Sequence, residues 1–226
     1  MSISSQSRAA SLWMLFDGMR DPERIESYLA EVDFRQATAQ CLLLALSGCA
    51  VFGLWTGLYA MTAPQFLASV LKVPLLLIGT TVICFPSFFI VQYVLAPRAL
   101  SLRTAVVLQA STLAIIASTW AVVALPCSLF IANAQNYAAT KLLVTLVAAF
   151  GGLIGLGWFV RGFRGASSAA GRPGRVLFLL PYCALFGLVG AQLAWNLRPF
   201  LGSPSQDFAL FRSLGGNLFE SLWASP

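Results

Sequence analysis

Apolar residues in this chain gather into long blocks separated by short polar breaks. Five blocks stand out: Cys41 to Met61, Val70 to Leu95, Thr104 to Pro126, Leu142 to Val160 and Val176 to Leu197. A bilayer core of roughly 30 Å is crossed by a helix of about 20 apolar residues, and each block is near that length. Stretches such as CLLLALSGCAVFGLW do not alternate apolar with polar, which sets aside the strands of a transmembrane barrel. Lipid offers the backbone no hydrogen-bond partner, so each block must close its own bonds as a helix. The pattern predicts an all-α integral membrane protein, with five transmembrane helices over 41–197.

The flanks carry a different periodicity. In 1–40 the run DPERIESYLAEVDFRQA reads as a helix, with Asp21 at the N-cap and Pro22 in the first turn. Ile25, Tyr28, Leu29 and Val32 form one apolar stripe, and Glu23, Glu26, Glu31 and Asp33 fall on other faces. In 198–226, charges and Pro199 recur too often for a sixth span. Phe200, Phe208, Phe211, Phe219 and Trp223 make this tail too aromatic for a disordered end, and with Arg198 and Arg212 they are its candidate docking residues. After RPFLGSP, two interfacial helices are expected, over Gln206 to Leu214 and Asn217 to Ala224, divided by Gly215-Gly216. The tail is thus expected to cap the bundle or to dock a partner.

Composition agrees with the pattern. Charged residues make up 10% and mean hydropathy is +0.81, far from the ~25% charged of soluble domains. The N-terminus lacks the short apolar core and cleavage site of a signal peptide and is expected to be retained. The basic residues set an orientation. Arg8, Arg20, Arg24, Arg35, Arg98, Arg103, Arg161, Arg164, Arg172 and Arg175 lie on one side, against Lys72, Lys141, Arg198 and Arg212 on the other. That bias predicts a cytoplasmic N-terminus and an external tail. It also accounts for the pI near 9.4 as topology, so no nucleic-acid partner is implied. The N-terminal segment itself holds four basic and six acidic residues, which suits basic loops or a partner better than anionic lipid.

The acids are absent where most membrane chemistry would need them. From Phe34 to Gln206 there is no Asp or Glu, and the chain has no His. Proton relays, coupling-ion sites, metal centres and general acid–base catalysis draw on those groups. No catalytic residue, metal site or cofactor is therefore predicted. Cys41, Cys49, Cys84, Cys127 and Cys183 show no CxxC spacing and read as small apolar packing residues.

Candidate residues inside the spans are of three kinds. Small residues four apart, Gly53 and Gly57, Gly151 and Gly155, and Gly187 and Ala191, let helix backbones approach closely, within one subunit or between partners. Ser111 and Ser118, like Thr112 and Thr119, are seven apart and repeat on nearly one face. They read as packing hydroxyls or as a polar path. Pro86 lies inside the second span and is expected to kink it or serve as a hinge. The segment IANAQNYAATK, 131–141, reads as a polar loop.

LKVPLLLIGTTVICFPSFFIVQYVL, with the later AWNLRPFLGSP, FALFR and NLFE, resembles bacterial five-span membrane proteins of no assigned activity, over Val70 onward. The layout is also similar to the Yip1-like membrane proteins, although that family's Asp-Leu-Tyr-Gly-Pro motif is absent. The resemblance implies a bacterial inner-membrane location and no activity. Two functions fit the residues. One is a non-enzymatic scaffold or accessory subunit of a membrane complex, with other subunits or itself as partner. The other is a homo-oligomeric channel or facilitator for uncharged solutes or anions, which the lack of an acidic ring would favour over cations.

Overall fold

The computed structural model describes residues 21, 33–95, 100–134, 136–166, 179–202 and 208–211. Within them the chain is all-helical: α1 (Phe34–Gly57), α2 (Ala63–Leu95), α3 (Leu102–Ala134), α4 (Tyr137–Ala166) and α5 (Leu179–Leu197). All five are long and apolar enough to cross a membrane. Of the expected N-terminal helix, Asp21 to Ala37, the structure describes Asp21 and 33–37: Asp33 is a cap and Phe34–Ala37 are the first turn of α1, while 22–32 lies outside the described residues.

Local chemistry explains where the helices start. Asp33 caps α1, its carboxylate accepting from the Arg35 amide at 3.2 Å and its carbonyl from Ala37 at 2.9 Å. Ser101 does the same for α3, accepting from the Thr104 amide at 3.1 Å, and Asn136 for α4, accepting from Ala139 at 3.2 Å. Short polar side chains at this position satisfy amides that the first turn leaves orphaned. Such caps let α1, α3 and α4 start ahead of their apolar blocks, and α2 starts ahead of its own as well. α1 begins seven residues before Cys41, and α2 begins seven before Val70. The expected loop over 131–141 also shrinks, because α3 runs to Ala134 and α4 resumes at Tyr137. Its Asn133 amide donates to the Leu129 carbonyl of its own helix, and Tyr137 packs edge-on against Tyr59 with ring centroids 5.6 Å apart.

α3 sits at the centre. It packs most extensively on α1 and then on α4, while α1 also packs on α2 and α2 on α5. Three glycines make the approaches to α3 possible. A Cβ at Gly48 would stand 2.6 Å from the Ala117 carbonyl oxygen. One at Gly151 would stand 2.4 Å from the Trp120 ring, and one at Gly155 2.2 Å from Ile116. Without a side chain the backbones close to distances no other residue allows. A Cβ at Gly53 would stand 2.7 and 2.8 Å from the backbone of Ser69 and Val70 on α2, and one at Gly57 3.0 Å from Phe66.

The fifth helix is placed differently. Gly187 has nothing within 4 Å of where a Cβ would stand, and Ala191 is exposed. α5 instead meets α2 at Gly190, where a Cβ would stand 3.6 Å from Thr80, and at Gly79, where one would stand 3.1 Å from Leu193. At the opposite end from the tail an aromatic knot joins α2, α4 and α5. Phe88, fully buried, has the rings of Phe159, Phe163 and Tyr182 at 5.1, 6.0 and 5.2 Å. Gln109 of α3 donates to the Tyr182 hydroxyl at 2.6 Å, which brings the central helix into the knot.

The outside is apolar. Leu67, Leu71 and Leu75 on α2, Val122, Leu125 and Leu129 on α3, and Leu142, Leu146 and Leu153 on α4 are all more than half exposed. Contiguous exposed apolar faces on every helix are intolerable in water and natural in hydrocarbon. The protein is an integral membrane protein.

The glycine contacts are directly testable. Replacing Gly48 or Gly155 with Val should destabilise the detergent-solubilised protein by about 1–3 kcal/mol, the usual range for overpacking. The same change at Gly187, where the space is open, should leave thermal unfolding unchanged.

Candidate functional site

The most polar constellation in the described bundle lies at the tail end of α2. Gln65, Ser69 and Lys72 follow one another at i, i+4 and i+7 in the first turns of the helix, a spacing that puts them on one face. They are 2%, 0% and 3% exposed. Buried polar groups at this depth need partners, and the tail supplies them. The Phe200 carbonyl accepts from Ser69 Oγ at 2.6 Å and from Gln65 Nε2 at 2.7 Å. The Pro199 carbonyl accepts from Lys72 Nζ at 3.1 Å, and the Leu210 carbonyl accepts a second bond from the same ammonium. The Phe211 ring lies 5.1 Å from Lys72 Nζ, within range of a cation–π contact.

All four acceptor bonds go to main-chain carbonyls. The stripe therefore holds the path of the tail and is indifferent to most of its side chains. Gly202 is the exception. Its φ of +66° is left-handed, and a Cβ there would stand 2.8 Å from Ala60 and 3.0 Å from Gln65. Glycine alone makes that turn without strain. At the root of the tail, the Arg198 guanidinium stacks 3.5 Å from the centroid of the Trp195 ring, and its buried Nε has no hydrogen-bond partner.

The structure thus gathers Phe200 and Phe211 of the predicted tail residues at the Gln65–Ser69–Lys72 stripe, while Arg198 stacks on Trp195 and Phe208 is half-exposed. Arg212, Phe219 and Trp223 lie outside the described residues. The expected helix over Gln206 to Leu214 is described only at Phe208–Phe211, which is not helical: the chain bends at Leu210 and Phe211. Lys72 draws the Leu210 carbonyl sideways, away from any helical ladder. The second expected tail helix falls outside the described residues.

The hydroxyls of α3 are placed elsewhere. Ser111 Oγ donates to the Val107 carbonyl at 2.8 Å and Thr112 Oγ1 to Leu108 at 2.7 Å, both fully buried. Thr119 donates to Ile115 at 2.8 Å, and Ser118 is half-buried. The Thr112 carbonyl lies 3.4 Å from where a Gly155 Cβ would stand, so that part of the face is filled by α4. Pro86 sits within an α2 that continues through it to Leu95. The five cysteines are free thiols, and among the described residues no three His, Cys, Asp or Glu side chains gather as metal ligands would.

The Gln65–Ser69–Lys72 stripe escaped the sequence reading, which took Lys72 only as a topology marker. Its signal was present as three polar residues at helical spacing, but Gln65 and Ser69 precede the apolar block that starts at Val70. Comparison with family models, with curated proteins and with solved structures gives no match.

Lys72→Met would strip the Pro199 and Leu210 carbonyls of their donor. At about 1.5–3 kcal/mol for a hydrogen bond to a charged group, the tail should open at least tenfold more often. Chymotrypsin cleavage after Phe208 and Phe211, read by mass spectrometry, should accelerate accordingly. Gly202→Ala should accelerate it too, since a left-handed alanine costs about 1–2 kcal/mol before any clash.

Proposed function

We propose that this protein is a non-enzymatic subunit of a larger membrane complex, serving as scaffold or accessory component, with the tail as its docking element. The observation that carries the reading is the use made of the buried polar stripe. Gln65, Ser69 and Lys72 bind the protein's own backbone, and so present a fixed tail whose Phe208, Leu210 and Phe211 side chains are about half exposed. A rigid backbone with outward aromatic side chains is the form that interface anchors take. The buried hydroxyls of Ser111 and Thr112 are bonded within their own helix, which supports a packing role for them over a solute path.

The complex forms in a bacterial inner membrane, with the N-terminus in the cytoplasm and the tail on the outer side, as the ten-to-four division of basic residues supports.

Native mass spectrometry of the protein purified in a lipid-retaining detergent should show a second polypeptide at fixed stoichiometry. Phe208→Ser with Phe211→Ser should lose it by at least tenfold while the bundle still unfolds at the wild-type temperature. Rings of identical 24.2 kDa chains that survive the double substitution would instead point to a homo-oligomeric pore. Orientation has its own measurement. A Phe208→Cys variant should react with a membrane-impermeant maleimide in spheroplasts, and reaction only after lysis would reverse the assignment.

A further inference from the structure

α5 is held at its two ends and only loosely between them. Its buried residues are Leu179, Tyr182 and Phe186 near one terminus and Leu197 at the other; from Gly187 to Asn196 none is buried. Among the described residues the helix packs on α2, touches α4 lightly and makes no extended contact with α1 or α3. Its contact with α2 over this half is ordinary. A Cβ at Gly190 would fit 3.6 Å from Thr80, and what approaches Gly79 is the flexible tip of Leu193, 3.1 Å from where a Cβ would stand. By contrast α1 buries residues from Ala37 to Gly57, and α4 from Thr140 to Ala166. A contiguous stretch with few buried contacts is where a fold opens most readily.

The polar groups make one end of α5 a hinge and the other a clasp. At the Phe88 knot, Gln109 of α3 donates to the Tyr182 hydroxyl of α5 at 2.6 Å. Parting these helices would strand both groups where lipid offers no partner. Along the tail-side half neither helix loses a bond of this kind. The Thr80 hydroxyl already donates to the Leu76 carbonyl of its own helix at 2.7 Å, and Gln192 donates to Asn196 within α5 at 3.3 Å. The fastening lies just past the end of the helix. There the Pro199 carbonyl accepts from Lys72, the Phe200 carbonyl accepts from Gln65 and Ser69, and Leu201 is buried. Lys72 is close to the Ala63 start of α2, so on release its long side chain can carry the ammonium to headgroup water.

We infer that residues 199–202 form a strap. Fastened, it holds the tail-side half of α5 on α2. Released, that half swings outward about the Phe88–Tyr182 knot and opens the Gly79–Thr80 face of α2 to the bilayer. The strap works in this way whether or not the tail docks a partner.

The test is carbene photolabelling from within the bilayer. The full chain is placed in phosphatidylcholine nanodiscs with a hydrophobic aryl diazirine, and labelled sites are mapped by mass spectrometry relative to Val82, which is 65% exposed. Thr80, 2% exposed, should label poorly in the wild type. Lys72→Met should raise its labelling at least tenfold, the usual worth of a hydrogen bond to a charged group, while Phe88 stays protected in the knot. Ser69→Ala removes one neutral donor and should raise it roughly threefold; it decides the matter if Lys72→Met fails to assemble. Wild-type labelling of Thr80 in both variants would overturn the proposal. So would labelling that rises equally at Thr80 and Phe88, the mark of a bundle loosened throughout and not of a hinged helix.

Discussion

Everything in this bundle depends on how closely two helices come to α3. Gly48 on α1 and Gly151 with Gly155 on α4 remove the side chains that would hold the backbones apart. In water such an approach would be driven by burying apolar surface. In lipid that drive is absent, because acyl chains are as apolar as leucine, and dispersion between well-fitted surfaces takes its place. Fit is therefore the chief source of cohesion, and glycines at the crossing points are what give it. Trp120 illustrates the consequence: its ring lies over Gly151, stacks 4.9 Å from Phe52 of α1, and donates to the Ala148 carbonyl at 3.2 Å. One side chain joins three helices because no Cβ stands in its way.

The tail is held by a second rule of the same solvent. A polar side chain inside a membrane protein must find a partner within the protein. Gln65, Ser69 and Lys72 lie at the end of α2, where the chain returning from α5 passes, and its carbonyls are the acceptors at hand. The same contacts leave the Phe208, Leu210 and Phe211 side chains about half exposed, with the Phe211 ring against Lys72. The path of the tail and the exposure of its side chains thus come from one set of bonds. The knot around Phe88 and Tyr182 ties the other end of α2, so this helix is anchored near both of its termini.

Hydroxyls along α3 show how a polar pattern in a sequence can serve packing. Ser111, Thr112 and Thr119 each return their proton to a carbonyl in the preceding turn of their own helix. That arrangement satisfies the donor without any neighbour. It leaves the face small, which is what close contact with Gly155 requires.

Helix number, helix type and membrane residence were legible in the residues, because 20-residue apolar blocks and the absence of alternation are properties of the chain alone. The starts of α3 and α4 were within reach too, since Ser101 and Asn136 cap by contacts three residues away. What the tertiary structure decided was every choice among equivalent surfaces. Gly155 and Gly187 look alike in sequence, yet one meets Ile116 and the other meets nothing within 4 Å. Gln65 and Ser69 look like loop polarity until α2 extends to include them and the tail arrives from more than 130 residues away. The non-helical path of Phe208–Phe211, within a segment expected to be helical, has the same origin: the Leu210 carbonyl is bonded to a buried ammonium on another element. Spacing along one helix is written in the sequence; which face meets which neighbour depends on contacts between residues far apart in it.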